Sequence, residues 1–122
     1  MYKHPRFISE VPSTSEAQIG EIRLTDYLLE HPAVSLMHTM QGPSMINLGI
    51  FHGDTLIIEK GRVPIEGDIV MAVIDGEYRI REFRYFKGSI SLCSGNINYG
   101  DLLPDESLQI LGVVSASFRK YR

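Results

Sequence analysis

GDIVMAVIDGEYRIREF, from Gly67 to Phe83, joins an apolar run to a mixed charged and apolar run through an Asp-Gly pair. A type I′ turn requires positive φ at both central residues, and Asp75-Gly76 suits that demand, so the flanking runs are predicted to pair as an antiparallel hairpin. DIVMAVI is apolar nearly throughout, as expected of a central strand. Around this hairpin, AVSLMHTM, TLIIE, EYRIREFRYF, SISLC and SLQILGVVSASF are separated by Gly, Asp and Pro clusters and carry the residues that strands favour. The expected fold class is mainly β: a small curled antiparallel sheet or partial barrel.

Ahead of the strands, LTDYLLEHP is predicted to form one short helix of about two turns, with Thr25 or Asp26 as its cap and Pro32 as its stop. Residues 1–21 are rich in Pro, Ser, Thr and Glu and are expected to be an extended N-terminal arm, with the domain proper over 22–122. A chain of 122 residues, 43% hydrophobic and 22% charged, suits one compact domain. Its net charge of -3 argues against strong direct DNA binding, which needs a clustered excess of Lys and Arg. The single cysteine, Cys93, forms no intrachain disulfide and no thiolate cluster, which fits a reducing cytoplasm. No apolar run approaches the ~20 residues needed to cross a bilayer, and the N-terminus lacks an apolar signal region. A cytoplasmic protein with no membrane partner is expected.

QGPSMINLGIFHGDTLII, from Gln41 to Ile58, sets Ser44 between a Gly-Pro pair and Met45. Hydrolysis by a serine needs a nearby base for its proton and donors for the developing oxyanion. On the local sequence alone, a serine that only hydrogen-bonds its own turn is the favoured reading, since turn serines are abundant. Asp54, Asp68 and Asp75 follow or precede glycine as turn acids do, Arg79, Arg81 and Arg84 read as a solvated strand face, and Arg119, Lys120 and Arg122 read as a charged end. His52 reads as a solvated loop histidine, and His38 as a surface or partly buried strand residue. No metal-type spacing links the four histidines.

GPSM at Gly42 to Met45, GIFHGDTLII at Gly49 to Ile58 and GDIVMAVIDGEYRI at Gly67 to Ile80 together resemble the catalytic domain of the LexA/UmuD family, the S24-type self-cleaving serine peptidases of the bacterial SOS response. The resemblance extends through LLEHPA, LCSGNINY and LQILGVV, covers about residues 22–118, and favours the UmuD branch, since the chain has no room for LexA's helical DNA-binding domain. It implies that Ser44 stands at the nucleophile position with Met45 as its motif neighbour. The family's general-base lysine falls on Arg81, within Ile80-Arg81-Glu82-Phe83. A buried lysine can lose its proton near neutral pH, whereas a guanidinium stays charged. The other lysines, Lys3, Lys60, Lys87 and Lys120, lie in arm, turn or terminal stretches.

Family members cut an Ala-Gly or Cys-Gly bond in the arm, but here Gly20 and Gly42 follow Ile19 and Gln41. Self-cleavage is therefore expected to be lost or impaired. The resemblance implies a UmuD-like accessory subunit of a translesion polymerase in SOS mutagenesis: a homodimer, associating with a UmuC-type Y-family polymerase and the RecA filament, with no cofactor and no metal. The arm and SLQILGVVSASF, taken as an outer strand, are the expected dimer contacts. Two alternatives stay open: an active serine autopeptidase using Ser44 with a non-standard base, and a regulator forming mixed dimers with self-cleaving relatives.

Overall fold

The computed structural model describes residues 24–103 and 107–122, so the expected arm, residues 1–21, lies outside the described residues. A short helix α1 (Leu24–Leu28) precedes β1 (Ser35–Thr39), β2 (Thr55–Lys60), β3 (Ile69–Ile74), β4 (Glu77–Phe86), β5 (Ser89–Cys93) and β6 (Gln109–Phe118). The strands form one six-stranded sheet in the order β1-β2-β6-β3-β4-β5. Every neighbouring pair is antiparallel. The fold class is as expected from sequence: mainly β, an open sheet, with very little helix.

The hairpin expectation holds in detail, since Asp75 and Gly76 have φ of 51° and 80° and Ile74 pairs with Glu77. Lys87-Gly88 repeats the device between β4 and β5, with φ of 48° and 80° and Phe86 opposite Ser89. β3 is central, as its composition demanded, lying between β6 and β4. The helix differs from expectation. It starts at Leu24, so Thr25 and Asp26 lie inside its first turn rather than capping it, and it ends at Leu28; Pro32 instead opens a 3-10 turn, Pro32–Val34.

β6 also corrects an expectation. It is not an outer strand: β2 pairs with one edge and β3 with the other, so no backbone edge is left for a twin to pair with. The outer strands are β1 and β5. β6 carries extra residues on both edges, Ser115 unmatched between the partners of Ile57 and Ile58, and Leu111 unmatched between those of Met71 and Ala72. Bulges bend a strand and increase its local twist, which curls the sheet. Gly112 lies between these bulges, opposite Lys60 of β2 and Met71 of β3.

Successive residues of the strands feed separate cores. Met40, Met45, Ile50, Leu56, Ile58, Met71 and Ile80 form one cluster. Val70, Ala72, Phe83, Leu92 and Val113 form another. Full burial of each large side chain contributes roughly 1.5–3 kcal/mol, so Met45 is held in place by its own packing as well as by its loop. Among the described residues, no helix is long and apolar enough to cross a membrane.

Candidate functional site

Ser44 sits in the long connection between β1 and β2, whose neck is closed by backbone bonds: Met40 N–H to Asp54 O at 2.8 Å and Gly53 N–H to Met40 O at 2.9 Å. Gly42 enters the left-handed region at φ 79°, a conformation glycine adopts without penalty, and turns the chain ahead of Pro43-Ser44. The loop is then clamped from the segment after β5. Asn96 Nδ2 donates to Pro43 O at 2.9 Å, and Gly95 N–H donates to Met45 Sδ at 3.3 Å. Asn47 N–H donates to Gly95 O at 2.6 Å. Met45, wholly buried, packs into the first core, so the residue after the serine is fixed from beneath.

The clamp needs glycine at 95. A Cβ added there would lie 3.0 Å from Met45 Cα and 3.2 Å from its carbonyl carbon, both main-chain atoms. Gly95→Ala is expected to cost about 1–3 kcal/mol by forcing the serine loop off the sheet, read as a lower urea midpoint with an unchanged slope. A midpoint equal to the parent's would mean that the loop has slack.

Arg81 arrives from the neighbouring hairpin. Its register opposite Val70 in β3 sets its side chain beside Ser44, although 37 residues separate them in sequence. Nη1 donates to Ser44 Oγ at 3.1 Å and to Ile80 O at 2.7 Å. Ser44 and Arg81 are 5% and 6% exposed, so the contact is shielded from solvent. Nε is buried and has no hydrogen-bond partner among the described residues. Burial, then the like charge of Arg79, pulls the guanidinium below its ordinary pKa, with Tyr99 opposing; it nonetheless remains a cation, since a guanidinium is not deprotonated in proteins. Arg81 therefore departs from the solvated-face reading of the arginine run. Arg79 and Arg84 fit it better, each lying nearer solvent and paired with glutamates.

A cleft of about 430 Å³ opens over the pair, lined by His38, Met40, Pro43, Tyr78 and Tyr99 among others. Chemically, the arrangement binds better than it deprotonates. The serine hydroxyl accepts a hydrogen bond from a permanent donor, and among the described residues no lysine lines the cleft to take its proton.

The surrounding loop contains features the sequence did not disclose. Asp54, read as a turn acid, does accept Phe51 N–H at 2.8 Å, but it is 3% exposed and also takes the Arg119 fork, Nε at 2.7 Å and Nη2 at 3.1 Å. Arg119 is thus a specific partner rather than part of an undifferentiated charged end, and its guanidinium covers the Phe51 ring at 4.4 Å. His52 is exposed, as expected, yet its Nδ1 accepts Gly42 N–H at 3.0 Å, placing the neutral ring's proton on Nε2. The paired residues are far apart in sequence, and no short motif announces either contact. Elsewhere, Glu30, His31 and Glu59 bring one ligand atom each within 4.8 Å of one another, at a corner where Arg62 already pairs with Glu59 at 3.1 Å.

This serine loop, clamped against an antiparallel sheet and facing a buried basic side chain, lies within a stretch that matches a known class. Residues 9–115 match the Peptidase S24-like family, and the chain belongs to it. Protein SamA of Salmonella typhimurium is 37% identical over 102 residues, 84% of this chain and 71% of SamA. Protein ImpA of Escherichia coli is 30% identical over 112 residues, 91% of this chain and 76% of ImpA. The LexA repressor of Acetivibrio thermocellus is 39% identical over 84 residues, 69% of this chain, but the match spans only 39% of that repressor.

Proposed function

We propose that this chain is a UmuD-like SOS-response protein that acts by association, as a homodimeric accessory subunit of a UmuC-type Y-family translesion polymerase responding to the RecA filament, with self-cleavage lost or impaired. The observation that carries this reading is the Arg81 Nη1 to Ser44 Oγ bond of 3.1 Å, which sets a donor where a general base is required. Family membership and the likeness to SamA and ImpA support the SOS assignment. Ser44 then serves as the nucleophile position without a partner base, Arg81 as the replaced lysine, and Met45 as the anchor of the serine turn.

The test is intact mass after incubation at neutral and alkaline pH, with and without RecA on single-stranded DNA and nucleotide. The wild type is expected to stay whole. In parallel, a peptide containing an Ala-Gly bond is supplied in trans: Arg81→Lys is expected to hydrolyse it at least ~100-fold faster than the wild type, since a positioned base contributes that much or more, and Ser44→Ala in the Arg81→Lys background removes the gain. Loss of an N-terminal fragment from the wild type would sink this reading.

A second reading rests on His38, whose imidazole lines the same cleft as Ser44. There the chain is an active peptidase with a non-standard base, and His38→Gln abolishes any cleavage the wild type shows.

A further inference from the structure

We propose that the cleft over Ser44 is a carboxylate-binding site, in which Arg81 and the Ser44 hydroxyl grip the carboxylate of a peptide. The proposal deepens the reading above, from which it takes only the permanent charge of Arg81.

The charge pattern motivates it. Arg62, Arg79, Arg84 and Arg119 each pair with an Asp or Glu. Arg81 is the most buried arginine described, and its acceptors are a neutral hydroxyl and a carbonyl. Among the described residues, none accepts from its buried Nε or from Nη2. The cleft lining contains two guanidiniums, Arg79 and Arg81, and neither Asp nor Glu. Burying a cation without a counter-ion is costly, and a ligand that brings the anion relieves the cost.

The donors also suit that ligand. Ser44 Oγ uses a lone pair to accept from Nη1, which leaves its own proton to donate. A carboxylate with one oxygen on the Ser44 hydroxyl and the other on Nη2 would complete both groups with charge-assisted bonds. Met40, Pro43, Ile80, Tyr78 and Tyr99 surround the polar centre with apolar and aromatic surface, and about 430 Å³ accommodates a short peptide end. The carboxylate has two possible sources: the terminus of a separate peptide, or a glutamate of this chain's first 23 residues, where Glu10, Glu16 and Glu21 stand.

The experiment uses the full chain, labelled with nitrogen-15, and follows the Arg81 Nε–H and Ser44 amide signals while acetyl-trialanine is added as the free acid or as its amide. The acid is expected to shift both signals saturably, and the amide to bind at least ~10-fold more weakly. Arg81→Lys keeps the charge but loses the fork, and should weaken the acid about tenfold as seen at the Ser44 amide. Arg81→Met should abolish the response while the rest of the spectrum stays folded. In a Glu10→Gln, Glu16→Gln, Glu21→Gln variant, tighter binding of the acid identifies the arm as the resident source, and unchanged binding identifies an outside peptide; either supports the site. No saturable shift from the acid in parent and variant alike, or equal responses to acid and amide, overturns it. Intact mass at the start and end of each titration reports cleavage separately, so a failure of the non-cleaving reading is not mistaken for a failure of binding.

Discussion

Gly112→Ala is expected to abolish the native sheet, with a loss on the order of 4 kcal/mol or more, large against a typical domain stability of about 5–15 kcal/mol. The added Cβ would meet the main chain of Glu59, lying 2.8 Å from its carbonyl carbon and closer still to its oxygen, with Ile58 Cγ2 at 3.0 Å. A side chain can rotate out of such a clash, but a backbone carbonyl paired within a sheet cannot. Relief would require β2 and β6 to part between the bulges at Leu111 and Ser115, which hold β6 tightly bent. The measurement is a urea melt followed by circular dichroism, with purified Gly95→Ala as a milder companion. A Gly112→Ala midpoint within about 1 kcal/mol of the parent would show that the strands do not approach as closely as described.

Asp54→Asn is expected to lower stability by roughly 2 kcal/mol at pH 7, because hydrogen bonds to a charged group are worth more than neutral ones. Asparagine retains an acceptor for Phe51 N–H, so the substitution isolates the pairing with Arg119. The Arg119 hydrogen bond holds the Asp54 carboxyl below its ordinary value; burial opposes this, while the Phe51 N–H and the Arg119 charge reinforce it. A carboxyl whose folded pKa is depressed stabilises the protein fully above its unfolded value, near 3.9, and loses that contribution as pH falls through the folded value. The gap between parent and Asp54→Asn should therefore be widest near neutral pH and close as the pH drops below about 4. A gap that persists unchanged in acid would assign the loss to packing rather than charge. Adding Arg119→Met to Asp54→Asn should cost less than the sum of the single changes, since each removes the same contact.

Much of this architecture was legible because its signals are local. The Asp75-Gly76 turn, the apolar run of β3 and the strand boundaries follow from residue types within a few positions of one another. The placement of β6 was not, because its order in the sheet depends on partners, although LQILGVV is apolar enough to have argued for an interior strand on the same grounds as DIVMAVI. The helix cap failed because Leu24 already adopts helical geometry, and capping is a property of backbone angles that residue type only favours. At the site, sequence resemblance placed Ser44 and Arg81, and the geometry brings them into contact. The contacts that hold the loop were hidden for the same reason as the strand order: Arg119 reaches Asp54 across 65 positions and Asn96 reaches Pro43 across 53.

The place of β6 also has a consequence for how the chain folds. β1 and β2 can pair as soon as both exist, and β3, β4 and β5 form a continuous meander of short-range hairpins. Among the described strands, β6 alone pairs with both halves, the remaining links being the loop and core contacts around Ser44 and Met45, and β6 is synthesised after both. Until it leaves the ribosome, β2 and β3 each present a bare, strongly apolar edge, the kind of surface that recruits other strands. Closure must then bring β6 to β2 over a long loop, a high contact order that slows the decisive step. The nascent protein therefore passes through a window in which it is two hairpin units awaiting a keystone, and chaperone dependence should be concentrated in that window.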